Sequence, residues 1–132
     1  MTLSAHDLIA AARAQILELA PHELAPLLGS GTPIVDVREP DEFADGHIPG
    51  AVNIPRGLLE FEVDGHPAVA GRTAEELSHR DRPVVLYCLS GGRSALAAEA
   101  LKRLGFVTPM SLAGGILGWE VAGLPVARPG SW

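Results

Sequence analysis

Val84-Val85-Leu86-Tyr87-Cys88-Leu89-Ser90-Gly91-Gly92-Arg93-Ser94 is the stretch that decides the fold. Its first four residues are apolar without clear alternation, as central strands of a parallel sheet are. Two glycines follow, and then Ala97, Ala100, Leu101 and Leu104 line one helical face. Glu99 and Arg103 can pair across one turn of that helix, and Gly105 is placed to end it. Strand, glycine-bearing loop and helix in succession form a unit of an α/β layer fold. Cys88 stands at the carboxyl end of the strand, where open α/β sheets place their ligands.

Working outward, Asp81-Arg82-Pro83 and Gly31-Thr32-Pro33 are breakers. The first precedes the strand above, and the second precedes another buried run, Ile34-Val35-Asp36-Val37. Ala51–Ile54 reads as a weaker strand and Ile16–Leu19 as a short first one. Val107–Leu112 reads as the last strand, with Pro109 expected at an edge or a bulge. Ser4 followed by Asp7 predicts a capped N-terminal helix, with Leu8, Ile9, Ala12 and Ile16 on one face. Pro21-His22-Glu23-Leu24 reads as the first turn of another helix.

Composition bounds the function. The 132 residues suffice for one ordinary domain, and 47% hydrophobic with 20% charged residues predicts a folded globule. The net charge is −6 and no run of Lys or Arg forms a basic patch, so neither nucleic acid nor a membrane is an expected partner. A single cysteine allows no internal disulfide and suits a reducing compartment. The first basic residue is Arg13, unlike the start of a signal peptide. The longest uncharged stretch, Leu104 to Trp119, is broken by Pro109 and several glycines and is shorter than a membrane helix. A cytoplasmic protein is expected. His6, His22, His66 and His79 lack ligand spacing, so no metal is expected, and no cofactor either.

The loop after Cys88 runs into a helix N-terminus, so free backbone N–H groups and the helix dipole face inward. Gly91 and Gly92 permit positive φ and let the loop curl its amides around one point. Such surroundings favour the thiolate, the reactive form of cysteine. Arg93 adds a forked cation. Each piece also has a plainer reading. A lone Cys at a strand end is commonly a small core residue, Gly-Gly before a helix is commonly a turn, and Arg93 alone would be a solvated charge. Their coincidence within six residues, Cys88 to Arg93, favours a site.

Further segments share a pattern with this loop: Asp36-Val37-Arg38-Glu39-Pro40-Asp41-Glu42-Phe43, Gly46-His47-Ile48-Pro49-Gly50-Ala51-Val52-Asn53-Ile54-Pro55, and Leu112-Ala113-Gly114-Gly115-Ile116-Leu117-Gly118-Trp119. Together with Cys88–Ser94 they strongly resemble the rhodanese homology family. The resemblance implies a rhodanese-like three-layer α/β domain, with a central parallel five-stranded sheet flanked by helices. It spans 16–126, leaving 1–15 as a helical extension that covers an edge or serves a partner, and 127–132 as a tail. It implies that Cys88 accepts sulfur and that Leu89, Ser90, Gly91, Gly92, Arg93 and Ser94 bind substrate. Arg56-Gly57-Leu58-Leu59-Glu60-Phe61 resembles a segment that walls the pocket entrance in some members, so Arg56 and Glu60 join the candidates. Asp36 caps a neighbouring element, pairs with Arg38 or orients the active loop. His47 reads as a hydrogen-bonding turn residue, and Trp119 as core packing.

Three functions follow. A sulfurtransferase would form a persulfide on Cys88 from thiosulfate or another sulfane donor and pass the sulfur to cyanide, a small thiol or a protein acceptor. A cysteine phosphatase or arsenate reductase would use a similar cradle, but those signatures place Arg six positions after Cys, often with His before it. Here Arg93 is five positions after Cys88, and Tyr87 precedes it. A non-enzymatic binding module of this family would commonly lack the cysteine that this chain retains.

Overall fold

The computed structural model describes residues 2–66, 77 and 79–129. Its strands are β1 (Leu17–Leu19), β2 (Ile34–Asp36), β3 (Val52–Asn53), β4 (Val84–Tyr87) and β5 (Pro109–Leu112). They form one parallel sheet in the order β1-β5-β4-β2-β3. The helices are α1 (Ala5–Arg13), α2 (Pro21–Leu24), α3 (Pro40–Asp45), α4 (Leu59–Asp64), α5 (Gly92–Arg103) and α6 (Gly115–Val121).

Strand alternation sorts the apolar residues into two cores. Val35, Val37, Val84, Leu86 and Cys88 bury against Leu59 and Val63 of α4 and Ala97, Ala98 and Leu101 of α5. Ile34, Val85, Tyr87, Met110 and Leu112 bury on the other face, against Leu24 of α2 and Ile116 and Trp119 of α6. The result is the three-layer α/β arrangement with a central five-stranded parallel sheet. Leu86 and Leu101 are fully buried, and truncating either to Ala would cost about 2–5 kcal/mol.

Several expectations shift in detail. Pro109 is at neither an edge nor a bulge: β5 lies between β1 and β4. The ladder tolerates it because it is the first residue of the strand, where the adjoining bond runs from the Val84 N–H to the Thr108 carbonyl. The Ser4 and Asp7 side chains form a reciprocal capping box on α1. That helix ends at Arg13, so Ile16 does not extend its face and instead packs beside the α5 core. Leu8 of α1 is exposed. Glu99 and Arg103 approach only to 4.0 Å. Gly105 takes φ +100 immediately after α5. The tail at 127–132 is described as far as residue 129.

Candidate active site

Alternation along β4 turns Tyr87 to one face and leaves Cys88 on the α5 face, 1% exposed. Gly91 is the N-cap of α5 with φ +111 and ψ −10, a left-handed conformation that side chains resist. This turn brings the Gly91 N–H to 3.0 Å from Cys88 Sγ and the Ser94 N–H to 3.4 Å. Both are amides that a helix start leaves without intrahelical partners. The thiol also lies 3.6 Å from Ser94 Oγ. That hydroxyl donates to the Gly91 carbonyl at 3.2 Å and shares a 2.8 Å hydrogen bond with Ser111 Oγ. Ser94 and Ser111 are fully buried. Of the loop residues named from the sequence, Gly91 and Ser94 therefore meet the sulfur directly. Leu89 and Ser90 form the exposed tip of the loop. Gly92 is the first residue of α5 and is not among the residues with positive φ.

The cradle is braced from behind. The N–H of Ile116 donates to the Cys88 carbonyl at 2.9 Å, and that of Leu117 to the Leu89 carbonyl at 3.2 Å. The first turn of α6 and the loop thus satisfy each other's backbone groups. A β-carbon on Gly115 would stand 2.4 Å from the Leu89 oxygen and 2.6 Å from the Cys88 oxygen, closer than any side chain permits. Trp119, which reads from the sequence as core packing, is fully buried with its indole N–H donating to the Pro125 carbonyl at 2.7 Å. The glycines do something further: they admit a helix to the back of the active loop. The second Gly-Gly ahead of a helix was the available signal.

Arg93 lies beside the loop but its fork is engaged. Its Nη1 and Nη2 donate to the two carboxylate oxygens of Glu42 on α3 at 2.9 and 3.1 Å. Glu42 was not a candidate from the sequence, although it lies within the Asp36–Phe43 motif. The hydrogen bond from Arg93 holds the Glu42 carboxyl below the usual carboxylate range, and partial burial opposes this. The same bond raises Arg93. Among the described residues, no group of three or more His, Cys, Asp or Glu is placed to hold a metal ion.

The remaining candidates lie around the cradle. Asp36 and Arg38, both buried, pair with each other: Nη2 donates to Oδ2 at 2.7 Å and Nε to Oδ1 at 3.0 Å. Arg38 Nη2 also donates to the Gly46 carbonyl at 2.7 Å, so the pair ties the end of β2 to the end of α3. His47 stacks on Phe43 with ring centroids 3.9 Å apart, and its backbone bridges Ala127. Arg56 and Glu60 pair at 2.8 Å and line a 380 Å³ groove with Leu96, Glu99 and Ala100, a groove whose walls do not include Cys88. Tyr87, which precedes the cysteine, points away from it. Its hydroxyl accepts the Ile48 N–H at 3.0 Å, and burial pushes the phenol well above its ordinary range.

Residues 20–122 match the family model of the rhodanese-like domain. A protein named sulfurtransferase from Allochromatium vinosum is 36% identical over 96 residues, covering 73% of this chain and 78% of that one. Thiosulfate sulfurtransferase 16, chloroplastic, of Arabidopsis thaliana is 34% identical over 102 residues, covering 75% and 82%. Among solved structures, a Rhodopseudomonas palustris protein of unknown function, described as a possible tyrosine phosphatase, superposes with a TM-score of 0.83. It is 32% identical, and 96% of each chain is covered. The chain belongs to the rhodanese-like domain family. That membership, with relatives named as sulfurtransferases, supports sulfur transfer as its general chemistry. Among the described residues, no helix is long and apolar enough to cross a membrane.

Proposed function

We propose that the protein is a sulfurtransferase that carries sulfur as a persulfide on Cys88. The observation behind this reading is the pair of backbone amides, Gly91 at 3.0 Å and Ser94 at 3.4 Å, converging on the Sγ of the chain's only cysteine. The Cys88 thiolate attacks the outer sulfur of an anionic donor such as thiosulfate. The new bond joins that sulfur to Sγ, the donor's S–S bond breaks, and its electron pair leaves with sulfite. A thiolate or cyanide then attacks the outer sulfur, and Cys88 departs as thiolate. Once ionised, Cys88 is an acceptor only, and the Ser94 hydroxyl, 3.6 Å away, can turn its proton from the Gly91 carbonyl toward sulfur. Arg93 carries five N–H donors, of which Glu42 engages two, leaving others for a donor oxygen. Cyanide, a small thiol or a protein-borne thiol serves as acceptor, and the lone cysteine fits a reducing cytoplasm.

Intact mass after incubation with thiosulfate tests the reading. A reversible gain of one sulfur atom is expected in wild type and none in Cys88→Ser. Sulfur transfer surviving in Cys88→Ser would overturn it. Hydrolysis of a small aryl phosphate without any sulfur gain would instead favour the phosphatase alternative.

A further inference from the structure

The helix α1 lies outside residues 20–122, the segment matched by the family model, yet it packs on the first turn of α5. Ile9 Cδ1 reaches to 2.9 Å from the place a β-carbon would occupy on Gly92. Arg13 Nη2 stands 3.3 Å from the corresponding place on Gly91. Gly91 is also the residue whose N–H lies 3.0 Å from Cys88 Sγ. The Arg13 guanidinium is therefore directly behind one of the two amides that converge on the sulfur. Lys102 fastens the far end of this contact by donating to the Gln15 carbonyl at 2.6 Å.

The charges nearby differ in how they are compensated. Arg93 is gripped at both Nη nitrogens by Glu42, and that pair carries no net charge. Arg13 is paired more loosely, with Nε 3.6 Å from Glu18 Oε2 and the two side chains 43% and 34% exposed. Exposed pairs of this length are weak and screened. We infer that α1 is part of the reactive site and that Arg13, held only loosely by Glu18, supplies positive charge that draws anionic reagents to Cys88. This rests on the reading of Cys88 as the reactive, sulfur-accepting thiol. Arg13 acts through its field from behind the Gly91 amide rather than by touching the sulfur.

Because Cys88 is the only cysteine, alkylation reports on this site alone. Iodoacetate and iodoacetamide react by the same displacement and differ in charge. At fixed pH and low salt, Arg13→Gln is expected to lower the iodoacetate-to-iodoacetamide rate ratio by about threefold to tenfold, the effect of one unit charge several ångströms away in a largely aqueous setting. Arg13→Lys should restore the ratio to within about twofold, since the charge alone is required. Raising ionic strength from 0.01 to 0.15 M shortens the screening length from about 30 to about 8 Å and should shrink the difference. An unchanged ratio in Arg13→Gln would overturn the inference. So would equal changes for both reagents that Arg13→Lys fails to correct, because they would mark a purely structural role. The sulfur-transfer reading is judged separately by the wild-type mass gain: its failure would leave the alkylation ratio able to decide the role of Arg13.

Discussion

The chain opens two helices with the same dipeptide. Gly91-Gly92 follows β4 and starts α5, and Gly114-Gly115 follows β5 and starts α6. In the first pair only Gly91 is left-handed, at φ +111; Gly92 is helical, and a β-carbon there would meet a methyl group of Ile9. In the second pair both residues have positive φ, +76 and +59. A β-carbon on Gly115 would strike the carbonyls of Leu89 and Cys88, which are backbone. What distinguishes these glycines is the stiffness of what they face. A carbonyl fixed by a strand end and a helix cap cannot yield, whereas the tip of an isoleucine can.

Gly115→Ala breaks the comparison hardest. It combines a strained left-handed alanine, about 1–3 kcal/mol, with overpacking against backbone, typically another 1–3 kcal/mol. We expect a destabilisation on the order of 2–6 kcal/mol, read as a shift in urea midpoint, together with loss of sulfur transfer. A variant with near wild-type stability would mean that α6 can retreat from the loop, and the brace would not be rigid. Gly91→Ala comes next. Strain there is on the order of 1–2 kcal/mol, and relaxing it moves the amide off Sγ. By analogy with removing one donor to a developing anion, persulfide formation should slow about a hundredfold. Stopped-flow donor consumption would measure this, and an unchanged rate would show that the Gly91 amide is dispensable.

A smaller effect probes the front of the loop, where a side chain replaces the backbone brace. Glu42 is held below the ordinary carboxylate range by the hydrogen bond from Arg93. A depressed folded-state value means that the stabilisation is present at neutral pH, above the unfolded value, and is lost as pH falls through the folded value. Glu42→Gln should therefore be slightly less stable than wild type at neutral pH, by under about 1 kcal/mol for so exposed a pair. The gap should close in acid below the usual carboxylate range. With Arg93 released, the KM for thiosulfate should fall by about threefold, the order of one freed charge interaction in a solvated setting. A rise in KM would show that Glu42 positions Arg93 for the donor instead of competing for it.

Much of this was legible in the sequence because local signals agreed. An unalternating apolar run, a glycine turn and an amphipathic helix specify β4, the loop and α5 without reference to the rest of the chain. The Asp36–Arg38 pairing lies two residues apart and was open to reading, as one of several alternatives. Non-local contacts were not legible. Nothing within Gly114-Gly115 says that it faces the carbonyls of residues 88 and 89, and nothing in Glu42 names an arginine 51 positions away. Pro109 failed for a related reason: a missing N–H argues against an interior strand only away from the strand's first residue, and that boundary is set by the neighbouring strands.

The smallest expected effect is the sharpest test of the contrast. At Gly92, alanine gains up to about 1 kcal/mol in helix propensity. Against that stands the contact at 2.9 Å, whose other partner is Ile9 Cδ1, the far end of a flexible side chain. The two terms nearly cancel, so Gly92→Ala should change stability by less than about 1 kcal/mol and leave persulfide formation within about twofold of wild type. Ile9→Val removes the methyl that would clash, at a cost of about 0.5–1.5 kcal/mol on its own. In that background Gly92→Ala should become stabilising, and a double-mutant cycle should give a favourable coupling of at least about 0.5 kcal/mol. That coupling places α1 and the cradle in direct contact in solution. Zero coupling would mean that α1 does not sit on Gly92, and a Gly92→Ala defect as large as that of Gly91→Ala would mean that both residues of the first pair are needed bare for the cradle itself.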